Sequence, residues 1–252
     1  MKHLSPLPLL PLLALACSSS HASLEESAPT TLVPVATENV EVAGVQRVGG
    51  DMEARIELLV GQGVDGADAY RWGPCSVTTA LPQGYPPPTP PGAFEIKSYP
   101  RARRAEVKGD SNPNFGMFFG FWPLFQHIKR KEIAMTSPVE MDYDGFDNRG
   151  RLSTVGWTMS FLYREPSMGS LGNDGDVAVE DREPVVVLSK GCKGPYLFER
   201  ADETARELAA WLATNDTWES AGAPRGLFYN GPDQSNDDKW SEIQVPVRRR
   251  AK

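Results

Sequence analysis

The order in which strand-like and helix-like segments follow one another constrains the fold of this chain more than any other feature. From residue 93 onward, runs with the two-residue period of β-strands alternate with two runs suited to helices. Strands are predicted at 94–99, 101–107, 133–143, 157–163, 227–229 and 241–247, a strand pair interrupted by Pro184 at 177–188, and helices at 115–131 and 202–214. Pro100 lies 57 positions before Trp157 and Pro184 lies 56 before Trp240, a spacing typical of two strand–helix–strand–strand halves. We therefore predict an α+β fold with one mainly antiparallel sheet and two flanking helices.

The two predicted helices differ in character. The first is rich in aromatic residues, and Pro123 favours a late start because proline is tolerated best in a first turn. The second has Asp202 as its candidate N-cap and places Ala205, Leu208 and Leu212 at helical intervals. The second helix is therefore predicted to be amphipathic.

The first residues have the features of an export signal. Residues 4–16 are apolar and uncharged after a short positive start, and they are too few to span a bilayer. Small residues allow cleavage after residue 16 or after residue 22, so the signal peptide is predicted as 1–16 or 1–22. The first site would leave Cys17 at the new N-terminus, where a lipid anchor could be attached. A periplasmic or membrane-anchored lipoprotein and a simply secreted protein both stay open.

Residues 17–92 differ in composition from the rest of the chain. They are predicted to form a flexible extension rich in proline and glycine, with a short helix at 51–60. The run 85–92, Tyr-Pro-Pro-Pro-Thr-Pro-Pro-Gly, favours extended polyproline geometry and marks a domain boundary, so that the main domain covers 93–248. Cys75 and Cys192 could pair in an oxidising compartment or stay separate thiols, and the sequence leaves both open.

Charge and histidine content exclude several classes of protein. Asp and Glu total 33 against 26 Lys and Arg, which argues against a nucleic-acid partner because such a protein needs a basic face. With residues 1–22 removed, His127 is the only histidine, so a zinc site with several histidine ligands cannot form. The motifs HExxH, Walker A and GxSxG do not occur.

Several blocks of sequence resemble the SOUL haem-binding protein family. They are Phe-Glu-Ile-Lys-Ser-Tyr at 94–99, Ile-Ala-Met-Thr-Ser-Pro-Val at 133–139, Val-Glu-Asp-Arg at 179–182, Tyr-Asn-Gly-Pro at 229–232, and 240–247. The resemblance covers about residues 93–248. It implies a distorted antiparallel β-barrel built from two pseudo-symmetric halves, with a helix on each, and binding of haem or a related tetrapyrrole at an apolar groove.

The residues themselves offer what a haem site needs, namely apolar walls, cations for the propionates and an optional iron ligand. Phe118, Trp122 and Phe125 on the first helix are the candidate walls, although these rings would equally suit the protein core. A neutral imidazole ligates iron, so His127 is the candidate metal ligand. The remaining candidates are Lys129 and Arg130 for the propionates and Met135 as a soft ligand.

Three functions follow, from different classes. The first is an exported, non-catalytic protein that buffers, carries or sequesters haem or another tetrapyrrole. The second is a binding module of the same fold for another amphipathic molecule or a protein partner. The third is an enzyme that modifies tetrapyrroles, with Glu132, Glu140 or Asp142 as proton donor. We favour the first.

Overall fold

The computed structural model describes residues 33–34 and 44–251. The predicted signal peptide and Cys17 lie outside the described residues. Within the described part, no helix is long and apolar enough to cross a membrane.

Most of the described chain forms short strands around two helices. The helices are α1 Pro113–Arg130 and α2 Phe198–Ala213. The strands are β1 Val33–Pro34, β2 Val45–Gly50, β3 Glu57–Leu59, β4 Ala69–Trp72, β5 Cys75–Val77, β6 Ala93–Tyr99, β7 Ala102–Gly109, β8 Val139–Tyr143, β9 Trp157–Leu162, β10 Gly172–Asp174, β11 Val177–Arg182, β12 Val185–Lys193, β13 Trp218–Ser220, β14 Arg225–Phe228 and β15 Trp240–Arg249. The predicted α+β class is therefore confirmed.

The main sheet is antiparallel and open. Its strands follow the order β10-β11-β7-β9-β8-β14-β15-β12-β6-β2, with β13 also paired to β15. The predicted barrel is wrong in its closure, because among the described strands the edge strand β10 pairs only with β11 and the edge strand β2 only with β6. β2 comes from the extension and lengthens the sheet at the edge beside β6. The pseudo-symmetry of the two halves stays a prediction.

Residues 45–92 belong to this fold, which corrects the prediction of a flexible extension. Three strands of this region, β3, β4 and β5, form a second sheet together with β1, in the order β1-β3-β4-β5. The helix predicted at 51–60 is absent, because the Asp51 carboxylate accepts hydrogen bonds from the N–H groups of Glu53 and Ala54, at 3.0 Å each, and makes a turn. Leu58 then pairs with Tyr70 in a strand ladder.

The proline-rich run lies against one face of the main sheet. Lys97 Nζ donates to the carbonyl of Pro87 at 2.6 Å, and Trp240 Nε1 donates to the carbonyl of Thr89 at 2.8 Å. The N–H of Thr89 donates to Glu242 Oε1 at 2.8 Å. These long-range bonds hold the run in place as part of the core.

Both helices start earlier than predicted. Asn112 caps α1 by accepting from the N–H of Asn114 at 2.9 Å, and Pro113 takes the first helical position, so Pro123 lies inside the helix. α2 begins at Phe198, so Asp202 lies inside the helix. Its side chain accepts from the N–H of Leu152 at 2.8 Å and does not cap the helix.

The strand predicted from residue 133 begins only at Val139. The segment before it bonds outside the ladder: Thr136 Oγ1 donates to the carbonyl of Leu162 at 2.6 Å, and the N–H of Ser137 donates to the carbonyl of Ala80 at 2.9 Å. The other predicted strands lie within a few residues of their observed positions.

The two faces of the main sheet differ sharply. One face is apolar and packs against both helices; its buried residues include Ile96, Met141, Trp157, Met159, Phe161, Leu188, Ile243 and Val245. The other face carries buried charges, among them Glu95, Lys97, Glu106, Glu140, Arg225 and Glu242. The helices and the charged face provide the candidate sites.

Candidate ligand-binding face

Helix α1 packs on the sheet through its glycines. A Cβ on Gly116 would lie 2.8 Å from Trp157 Cδ2, and a Cβ on Gly120 would lie 3.0 Å from Met159 Cβ. Side chains at these positions would clash, so close approach of the helix requires glycine. The helix therefore packs Gly116 and Gly120 on the sheet, together with the buried Leu124 and Ile128, and four of its large rings lie on other sides.

Four aromatic side chains of α1 point outward. Phe115 and Phe119 are each 59% exposed, Trp122 is 61% exposed and Phe118 is 78% exposed. This arrangement reverses the usual one, in which a surface helix buries its apolar stripe. An exposed patch of large apolar side chains indicates a binding surface.

The predicted residues Phe118, Trp122, Phe125 and Lys129 lie along one stripe of α1, since they are separated by four, three and four positions. The rings of Trp122 and Phe125 are nearly parallel, with centroids 5.9 Å apart and an angle of 27° between their planes. Phe121 continues the stack, with its plane at 13° to that of Phe125. The stripe therefore offers an apolar surface, most exposed at Phe118 and Trp122, that ends in the exposed residue Lys129. We name Phe118, Trp122, Phe125 and the adjoining Lys129 the aromatic stripe.

The structure places His127 and Arg130 in contacts with residues outside the aromatic stripe. Arg130 pairs with Asp174, with 3.0 Å between Nη2 and Oδ2. Met135 is 39% exposed and lies between α1 and β8. Sequence reasoning brought together four of the seven candidates.

His127 faces the interior and both of its ring nitrogens are engaged. Nδ1 lies 2.7 Å from Asp174 Oδ2, and Nε2 lies 2.8 Å from the hydroxyl of Tyr163. The hydrogen bond from His127, together with that from Arg130, lowers the pKa of Asp174, which is therefore an ionised acceptor. An iron ion could bind His127 only after Tyr163 had moved away. The role of His127 as an iron ligand remains a prediction, and this geometry does not favour it.

A cavity of about 270 Å³ lies between the start of α1 and the start of α2. Met117, Met141, Tyr196 and Phe228 line it. Ligand pockets commonly measure about 300–1,000 Å³, so this cavity is smaller than a site for a large flat ligand. The aromatic stripe is therefore the better candidate for the site of a large flat ligand.

Sequence reasoning missed the charged cluster on the other face of the sheet. Glu140 Oε1 lies 2.9 Å from Arg225 Nη1, and Glu140 also pairs with Arg182 and Arg104. Burial works to raise the pKa of Glu140, but the guanidinium groups of Arg225, Arg182 and Arg104 outweigh it and hold the pKa at about 2. Glu140 is thus ionised, which does not suit the proton donor that a tetrapyrrole-modifying enzyme would need.

A second buried carboxylate, Glu242, lies on the same face. It accepts hydrogen bonds from Lys97 Nζ at 3.0 Å and from the Tyr229 hydroxyl at 2.5 Å. Burial raises its pKa, but Lys97 and the hydrogen bonds lower it to about 2. Charged residues at alternate positions of strands, such as Glu95 and Lys97, were the available sequence signal for this face.

Cys75 and Cys192, which the sequence left open, are both free thiols in this structure. Burial raises the pKa of each.

Comparison with solved structures supports the fold. A cryo-EM structure of an EcmrR–DNA complex aligns with a TM-score of 0.51 at 15% identity, over 62% of this chain and 57% of that chain. An uncharacterized conserved protein from Listeria innocua aligns with a TM-score of 0.47 at 13% identity, over 64% and 94%. This chain therefore spans less than two thirds of the EcmrR chain, and the likeness to EcmrR, at 15% identity, concerns the fold alone.

No curated protein matches this sequence. The family profile described as SOUL heme-binding protein matches residues 87–245, which is more than half of the chain and begins inside the proline-rich run. The chain belongs to the SOUL haem-binding protein family.

Proposed function

We propose that this protein is an exported, non-catalytic carrier or buffer of haem or a related tetrapyrrole, and that the ligand lies on the aromatic stripe of α1. The observation that carries the proposal is the reversed packing of α1, which buries Gly116 and Gly120 and exposes Phe118 and Trp122. Membership of a haem-binding family supports the ligand class. The apolar segment at residues 4–16 supports export, and Cys17 is the proposed point of attachment if the protein carries a lipid.

The chemistry of the stripe suits a flat ligand with acidic groups at one edge. The exposed rings of Phe118 and Trp122 can stack on a porphyrin plane, because offset-stacked aromatic systems attract each other. The exposed ammonium of Lys129, four residues beyond Phe125, would meet a propionate. Met135 and His127 stay proposed as iron ligands, but the proposal does not depend on them. The aromatic stripe would bind the porphyrin through its apolar face without ligating the iron.

The contribution of the exposed rings to the free energy of ligand binding has an upper limit. An aromatic side chain buries about 150–250 Å² when fully covered, and a stacked ligand covers about half of it. Two rings then contribute about 150–250 Å², or about 4–6 kcal/mol at about 25 cal/mol per Å² as an upper limit. Because association has its own entropic cost, we expect removal of both rings to weaken binding by about 10–100-fold.

The test is a hemin titration of the protein lacking residues 1–22, followed in the Soret region. The double variant Phe118→Ala/Trp122→Ala should bind about 10–100-fold more weakly than the unmodified protein. Leu197→Ala is the matched control, because Leu197 is an apolar residue 50% exposed at the start of α2. It should leave the affinity unchanged.

The outcomes separate the proposed functions. Saturable binding that depends on the two rings supports tetrapyrrole carriage. Saturable binding insensitive to the double variant would move the ligand off the stripe. No saturable change would favour the second candidate, a SOUL-fold module for another amphipathic molecule or a protein partner.

A further inference from the structure

A cavity of about 440 Å³ lies on the flank of α1 away from the aromatic stripe, near the C-terminal end of the helix. His127, Tyr163 and Asp174 form its polar end, and Lys131 and Glu132 also line it. The apolar side chains that line it are Ile133, Met168, Leu171 and Val179. This volume falls within the range of small-molecule sites, and none of the residues of the aromatic stripe lines it.

The three polar residues form a chain of hydrogen bonds with a fixed direction. The Asp174 carboxylate also pairs with Arg130 and only accepts, so His127 donates to it from Nδ1, at 2.7 Å. Nε2 is then the acceptor, and the Tyr163 hydroxyl donates its only hydrogen to it, at 2.8 Å. The Tyr163 oxygen is left as an acceptor, and it receives no hydrogen bond from another described residue.

The walls around this oxygen are preformed. A Cβ on Gly169 would lie 2.9 Å from Tyr163 Cε2, so only glycine lets the loop before β10 pass so close to the ring. Arg103 holds that loop by donating to the carbonyls of Met168 and Gly169, at 3.2 and 3.0 Å, while its Nε donates to Asp181 at 2.7 Å. A buried acceptor in a preformed cavity selects ligands that supply a donor.

We propose that this cavity is a second ligand site, for a small amphipathic molecule that donates an O–H or N–H group to the Tyr163 oxygen and buries an apolar body against Ile133 and Met168. Asp174 acts through His127 as a positioning residue, because it sets which ring nitrogen carries the proton. The site distinguishes donors from pure acceptors of the same shape.

The test compares phenol with anisole, which keeps the ring and the oxygen but has no donor. Binding to the full chain is followed by NMR through the amide signals of Gly169 and Gly172, two glycines that line the cavity. Phenol should shift these signals and bind about three- to tenfold more tightly than anisole, as expected for one neutral hydrogen bond. Tyr163→Phe keeps the ring and should abolish the preference.

A second variant keeps the test decisive if Tyr163→Phe fails to fold. Asp174→Asn replaces a group that only accepts by a group that also donates, so the tautomer of His127 is no longer set. The ratio of the affinity for phenol to the affinity for anisole should then fall towards one. Asp176→Asn is the matched control in the same hairpin, since Asp176 is exposed and should leave the preference intact.

Two results would overturn the proposal. One is the absence of phenol-induced shifts at Gly169 and Gly172. The other is a preference for phenol that survives both Tyr163→Phe and Asp174→Asn. Hemin binding should be unaffected by these variants, because the cavity and the aromatic stripe lie on different flanks of α1.

Discussion

Glu140→Gln tests whether the charged face of the sheet is held by ion pairing. The substitution keeps the shape of the side chain but removes its charge, and it leaves Arg104, Arg182 and Arg225 with less compensation. Both Glu140 and Arg225 are buried, at 0% and 1% exposed. Loss of one partner of a buried pair costs about 3–5 kcal/mol, a large part of a typical stability of about 5–15 kcal/mol.

The pKa of Glu140 gives a similar value for the lost free energy of unfolding, and it also predicts how that loss changes with pH. Its pKa is lowered from 4.5 to about 2 in the folded protein, and at 1.36 kcal/mol per pKa unit this corresponds to about 3 kcal/mol of stability at pH 7. A lowered pKa means that this stability is present above pH 4.5 and is lost as the pH falls towards 2. At pH 3 about 1 kcal/mol should remain.

The assay is urea unfolding of both proteins at pH 7 and pH 3, followed by tryptophan fluorescence. The variant should be about 3 kcal/mol less stable at pH 7 and about 1 kcal/mol less stable at pH 3. Glu183→Gln is the control, because Glu183 pairs with Arg101 at the surface and should change stability by less than about 0.5 kcal/mol at both pH values. A deficit of Glu140→Gln that is equal at the two pH values would refute the reasoning.

The other predictions concern α1 and the thiols. Gly120→Val should lower the free energy of unfolding by about 2 kcal/mol and Tm by about 4–8 °C in calorimetry, because the added carbons meet Met159 and Trp157. Phe118→Ala on the exposed side should change stability by less than about 0.5 kcal/mol, so equal effects of the two substitutions would contradict the reversed packing of the helix. Cys75 and Cys192 should react with a thiol reagent far more slowly in the folded protein than in urea, because burial raises the pKa of both, and rapid labelling of the folded protein would contradict their burial.

Contacts between residues distant in sequence explain why the site was only partly predictable. The partner of His127 is Asp174, 47 residues later, and Glu140 meets Arg225, 85 residues later. No local pattern indicates such pairs, so the sequence presented His127 as a free imidazole and Glu140 as an available acid. The helix predicted at 51–60 failed for a related reason, because pairing with β4 decided the conformation of residues 57–59.

From residue 93 onward, the sequence by itself determined the alternation of strands with two helices, the family and the aromatic character of α1, since these depend on local periodicity and on contiguous blocks of residues. Tertiary structure alone decided that the sheet stays open, that the proline-rich run lies on it, and which way each side chain of α1 faces. A helix that is apolar on nearly every side has no periodic signal for its buried face. Close packing of Gly116 and Gly120 on the sheet made that choice, and it left Phe118 and Trp122 facing outward.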